Sequence, residues 1–169
     1  MWKTGKRDPV PAVAVGPAVR ADTDAAAAIW HEGWHDAHAP LTAADIVAGR
    51  TPAVFAAWFA AQLKSTYVAT VDGVPAGFAM IDGDELDQFY VGRRWRGHGV
   101  ALPLMRHAER IMAARGVGEA WLSCAVGNLP ARRFYAKAGW IEGPLVDATI
   151  RGAPGRTLPC HRFTKALGR

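Results

Sequence analysis

The sequence predicts a mixed α/β (α+β) sandwich, and three observations carry that reading. Apolar residues recur at three- and four-residue intervals in the first third of the chain. β-Branched and aromatic residues then dominate residues 66–91, and a loop of glycine and arginine joins the last of those strands to a helix.

Residues 13–20 read as a first strand. Ala21-Asp22-Thr23-Asp24 follow and offer N-cap side chains for a helix over 25–35. Thr42 caps a second helical stretch, and Thr51-Pro52 opens a third that runs to about Leu63. Within it Val54, Phe55, Trp58, Phe59 and Leu63 form an apolar stripe. The period then changes. Residues 66–71 and 74–81 read as partner strands around an Asp72-Gly73 turn, and Asp82-Gly83 leads into a third strand over 85–91. The Gly/Arg loop occupies 92–99. A helix over 100–115 follows, with Leu104, Met105, Ala108, Ile111 and Met112 on one face, and Pro103 in its first turn, where a missing N–H costs little. Gly116 stops that helix. Residues 119–125 read as a strand, and 130–138 as a short helix with Gly139 at its C-cap. Residues 140–150 and 157–164 close the chain as a hairpin across Gly152-Ala153-Pro154-Gly155.

The 169 residues suffice for one domain with its own core, and no repeat or linker divides them. Residues 1–15 are read as an irregular tail and 16–169 as a single domain. No apolar run reaches the roughly 20 residues that a membrane-spanning helix needs. The basic start and Ala12-Val13-Ala14 have the outline of a secretion signal, but Pro9, Pro11, Gly16 and Pro17 break the apolar stretch, so a cytoplasmic setting is expected. Cys124 and Cys160 are too few for a disulfide scaffold. The net charge of +5 fits a polyanionic partner without choosing one. Arg93, Arg94 and Arg96 interleave with Trp95 as in nucleic-acid binders, yet four residues make a small footprint and no recognition helix accompanies them. Neither nucleic acid nor membrane is expected as a partner.

Chemistry concentrates at residues 85–115. Glycines at 97 and 99 let the backbone approach a ligand, and the following helix aims its unsatisfied N–H groups and positive dipole end at the loop. Pyrophosphate is the natural occupant of such a site, with Arg94 and Arg96 adding charge-assisted contacts. The loop is neither a Walker A sequence nor a G-x-G-x-x-G fingerprint.

Arg94-Trp95-Arg96-Gly97-His98-Gly99 fits the R/Q-x-x-G-x-G/A pattern of the GNAT acetyltransferases, behind a strand that ends Phe89-Tyr90-Val91 as in that family. Asn128-Leu129-Pro130-Ala131-Arg132-Arg133-Phe134-Tyr135, followed by Gly139-Trp140, resembles the family's N-x-x-A-x-x-x-Y…G-F/W segment. The resemblance spans about residues 66–142 and is faint before them. It implies a mostly antiparallel central sheet flanked by helices, with acetyl-CoA as co-substrate and no metal. The pantetheine arm would lie along Phe89, Tyr90 and Val91. The pyrophosphate would rest on backbone amides of Arg96, Gly97, His98, Gly99, Val100 and Ala101, with Arg94 or Arg96 reaching phosphate and Asn128 touching the cofactor. Arg93 stands where the family commonly has proline, which alters loop stiffness. Family members often dimerise through their C-terminal strands, here residues 140–164, although the sequence leaves oligomeric state open.

The resemblance also implies direct attack of a neutral amine on the thioester. A base must take the amine's proton, because a primary amine near pKa about 10.4 is almost wholly protonated at neutral pH. Tyr135 matches the tyrosine that protonates the departing thiolate, and the Val91 backbone N–H matches the donor to the oxyanion. Glu85 and Asp87, on one strand face by its period of two, are the candidate bases. The acceptor reads as a small-molecule amine, from the bulky Trp30, Trp34 and Trp58 where the pocket would form, with a protein N-terminus or lysine as the alternative. Trp34 and His35 are candidate substrate contacts. A CoA-binding module without turnover is a further alternative.

One motif points elsewhere. His31-Glu32-Gly33-Trp34-His35 is a literal H-E-x-x-H, the zinc site of a metalloprotease when it lies on a helix. Gly33 and Pro40 weaken such a helix, and the longer H-E-x-x-H-x-x-G-x-x-H pattern fails at His38 and Leu41. A zinc hydrolase would also leave the Arg94–Gly99 loop without a purpose.

Overall fold

The computed structural model describes residues 12–168. Seven strands form one sheet: β1 (Val13–Pro17), β2 (Thr66–Val71), β3 (Val74–Asp82), β4 (Glu85–Val91), β5 (Glu119–Ala125), β6 (Ile141–Thr149) and β7 (Thr157–Ala166). Their order is β1-β2-β3-β4-β5-β7-β6, and every neighbouring pair is antiparallel except β4 and β5. The helices are α1 (Thr23–Ala37), α2 (Ala44–Ala48), α3 (Pro52–Ala61), α4 (Ala101–Ala114) and α5 (Leu129–Lys137). The mostly antiparallel sheet flanked by helices agrees with the sequence reading.

β1 begins at Val13, inside the stretch read as an irregular tail; residues 1–11 of that stretch lie outside the described residues. β1 also ends at Pro17 rather than at residue 20. Arg20–Asp22 form a 3₁₀ turn, and the Asp22 carboxylate accepts from the Val19 N–H at 2.8 Å, bending the chain into α1.

The alternation of the strands sends side chains to two layers. Tyr67, Ala69 and Val71 of β2 pack with Leu104, Met105, Ala108 and Met112 of α4. Val68, Phe78 and Met80 pack on the other face with Trp30 and Trp34 of α1 and with Phe55 and Phe59 of α3. Trp30, Phe55, Phe59 and Phe78 are each at most 1% exposed. Burying each such side chain stabilises by about 1.5–3 kcal/mol, so α1 and α3 are held firmly against the sheet. No helix among the described residues is long and apolar enough to cross a membrane.

Candidate active site

β4 and β5 share a single registered pair, Glu85 with Trp121, and part beyond it. On its other side β4 stays paired with β3 up to Val91. Most of β4 therefore has one free edge. The Gly92 N–H donates to the Ala76 carbonyl at 2.9 Å, so by alternation Phe89 and Val91 turn their N–H and C=O groups towards the free edge. Arg96 Nε meets the Val91 carbonyl there at 3.1 Å. The parted strands open into a cavity of about 1320 Å³.

β4 carries a bulge. Ile81 pairs with Leu86 but Met80 pairs with Gln88, which leaves Asp87 without a partner on β3. Leu86 consequently packs in the same layer as Phe89 and Val91. The simple alternation that placed Glu85 and Asp87 together is interrupted there, yet both carboxylates line the cavity. Burial, then the neighbouring Asp87 and Asp82, push Glu85 up to about 7, with Arg162 and Arg151 partly opposing them. Asp87 is engaged differently: it pairs with Arg151 and accepts from Gln88 Nε2 at 3.2 Å.

Tyr135 comes from α5 on the far side of the gap. Asn128 Oδ1 caps that helix by accepting from the Ala131 N–H at 3.3 Å, and Pro130 lies in its first turn. The Tyr135 ring packs among Phe89, Phe134 and Phe163, at centroid distances of 6.4, 5.7 and 5.5 Å. Its hydroxyl makes no hydrogen bond among the described residues, and burial holds its pKa well above the usual phenol range, so the proton stays on. Cys124 and Cys160, both free, also line the cavity. Burial pushes Cys124 up to about 12 and Cys160 up to about 11, which keeps them thiols and poor nucleophiles.

The Gly/Arg loop borders the same cavity before α4. Gly97 and Gly99 adopt φ of +78° and +81°, the left-handed region that glycine enters freely. No atom stands within 4 Å of a Cβ built on Gly97, so that backbone faces open space. Phe89, Tyr90, Val91, Arg96, Gly97, Gly99, Val100, Ala101 and Asn128 line the cavity; Arg94 and His98 do not. Arg94 stacks on Trp95 at 4.5 Å, and His98 Nδ1 bonds its ring to the Arg96 carbonyl at 3.0 Å. Arg93 pairs with Glu32 at 3.2 Å and with Asp36 at 2.7 Å, and Arg96 pairs with Asp36 at 3.0 Å. Two of the loop's three arginines are thus paired with carboxylates of α1.

That pairing engages Glu32 of the H-E-x-x-H sequence. The His31 and His35 rings lie tilted against each other with centroids 4.2 Å apart, and His35 Nδ1 is bonded to the His31 carbonyl at 2.8 Å. Trp34 lines the cavity, whereas His35 does not; His38, stacked on Trp34 at 5.8 Å, does. Two arginines that sequence reasoning passed over stand at the same end. Arg50 lies between Trp34 and Trp58, 5.2 and 4.7 Å from their centroids, and donates to the Arg151 carbonyl. Arg151 reaches over Trp30 to Asp87. Neither carries a local signal, because their partners are distant in sequence.

The acetyltransferase (GNAT) family model matches residues 26–140. The chain belongs to this family. The match starts ahead of residue 66, where the motif resemblance begins, so all of α3 and α1 from Ala26 onward lie within the GNAT region. The GCN5-related N-acetyltransferase of Rhodopseudomonas palustris is 29% identical with a TM-score of 0.72, covering 93% of this chain and 96% of that one. yncA of Salmonella typhimurium, solved with its cofactor acetyl-CoA, shares the GNAT fold at 16% identity, with a TM-score of 0.70 over 93% of this chain and 95% of that one. Streptothricin acetyltransferase of Streptomyces lavendulae is 34% identical over 109 residues, 56% of this chain and 58% of that protein. The GNAT chain described here thus spans less than two thirds of that relative's length.

Proposed function

We propose that this chain is an N-acetyltransferase that transfers the acetyl group of acetyl-CoA to the amine of a small molecule by direct attack in a ternary complex. The observation that carries the reading is the parted β4–β5 edge, with the glycine loop at one end, Glu85 at the other and Tyr135 facing across. Family membership supports acetyl-CoA as co-substrate. The streptothricin acetyltransferase match and the tryptophan-walled far end of the cavity support a small acceptor over a protein N-terminus or lysine.

The residues present fit acetyl-CoA. The free edge at Phe89 and Val91 would pair with the pantetheine arm as an added strand does, and the amides from Gly97 to Ala101, at the positive end of α4, would hold the pyrophosphate. Acetyl-CoA supplies the acyl group as an activated thioester. Glu85, poised near 7, takes the proton that the amine must lose, directly or through water. The Val91 N–H donates to the acyl oxygen as charge grows on it. Tyr135, protonated because it is buried, gives its proton to the departing sulfur and regains one from the amine side. One N–C bond forms, one C–S bond breaks, and the proton count closes. We place this chemistry in the cytoplasm, a setting the two free thiols support.

Titration calorimetry with acetyl-CoA, against desulfo-CoA and ATP, tests the reading. Saturable binding to acetyl-CoA well beyond ATP, then thiol release with an amine panel, is the expected result. Binding without turnover on any amine, peptides included, would instead identify a CoA-binding module.

A further inference from the structure

The far end of the cavity holds more positive charge than the reaction requires. Arg50 is 5% exposed, and no carboxylate partners it among the described residues. A guanidinium so removed from water is costly unless something of opposite charge approaches it. Two tryptophan faces and one carbonyl offset part of that cost. Arg151 stands beside it and pairs with Asp87. The Nε atoms of Arg50 and Arg151 are both buried without a hydrogen-bond partner among the described residues. Both side chains line the cavity that Glu85 enters.

We infer that the acceptor is an amino acid or other amino-carboxylate, its carboxylate received by Arg50 and Arg151 while its amine faces Glu85. This rests on the acetyltransferase reading above and names the substrate class of that site. Two guanidiniums against one carboxylate leave a single positive charge, which one substrate carboxylate neutralises with charge-assisted hydrogen bonds. Trp34 and Trp58 shield the Arg50 guanidinium from water and strengthen that attraction. Arg151 lies on the turn between β6 and β7, so its charge and the turn's position both shape the acceptor site.

The test is thiol release from acetyl-CoA with glycine, β-alanine, 4-aminobutyrate, 6-aminohexanoate, methionine and tryptophan, each beside its amide and its matched simple amine. The series scans the spacing between amine and carboxylate. At least one free acid should exceed both its amide and its amine in kcat/KM by roughly tenfold or more. Arg151→Gln should narrow that gap by raising KM for the acid by a larger factor than KM for its amide. Arg50→Met should do the same if it folds, as judged by circular dichroism; Arg151→Gln decides the matter if it does not. Amides and plain amines used as well as the acids would overturn the inference, and so would no turnover of any acid by protein that binds acetyl-CoA. Failure to bind acetyl-CoA at all would instead bring down the acetyltransferase reading.

Discussion

Gly33 of α1 and Tyr90 of β4 pack so closely that a Cβ on Gly33 would lie 2.5 Å from Tyr90 Cδ1. The glycine inside the H-E-x-x-H sequence therefore serves helix-to-sheet packing over the cavity wall. Gly33→Ala should destabilise the fold by about 1–3 kcal/mol and lower turnover by displacing the Tyr90 ring, as thermal melts and steady-state assays would reveal. An unchanged melting temperature would contradict this account of Gly33.

Glu85 is expected to set the rising limb of the pH–rate profile. With its pKa raised to about 7, the base form, and with it kcat/KM, grows as pH climbs through neutrality. Glu85→Gln should flatten that limb and lower the rate on the order of 100-fold. An intact limb in the variant would transfer the base role to Asp87 or a water chain.

Tyr135→Phe keeps the ring and its packing against Phe89 and Phe163 but removes the acidic hydrogen. Turnover should fall about 100-fold, with acetyl-CoA affinity changed much less. Calorimetry and kinetics on the same preparation separate the two effects, and a fully active variant would remove Tyr135 as the acid.

Gly97→Asp places a carboxylate where the loop faces open space. Aspartate is among the residues that tolerate positive φ, so the protein should still fold. Acetyl-CoA binding should weaken tenfold or more, because like charge would meet phosphate. Unchanged affinity would defeat the loop assignment.

His38 couples stability to pH. Burial lowers its pKa from the usual histidine value to about 4 in the folded chain. The unfolded chain therefore binds the extra proton first, and the stabilisation present above about pH 6.5 is lost as pH falls towards 4. Melts between pH 7 and 4.5 should show a decline that His38→Phe, which preserves stacking on Trp34, reduces by about 2 kcal/mol. Equal slopes in both proteins would contradict this role.

The order of elements, the glycine loop before α4 and the Asn128–Tyr135 segment are legible in the sequence. Each is written in local chemistry: a change of apolar period, glycines where φ is positive, a cap and a proline opening a helix. The sequence also placed Glu85 at the start of the strand whose free edge forms the cavity. What depends on partners distant along the chain emerges only on folding. The bulge at Asp87 arises from register against β3, and it interrupts the alternation along β4. Arg94 and Arg96 read alike in the loop, yet the Asp36 carboxylate on α1 draws Arg96 to the cavity side while Arg94 stacks on Trp95. Arg50 and Arg151 lie 101 residues apart, and only the folded chain brings the guanidinium of one to the carbonyl of the other. Glu85 owes its raised pKa to burial and to carboxylates that folding gathers around it, effects that side-chain identity does not encode.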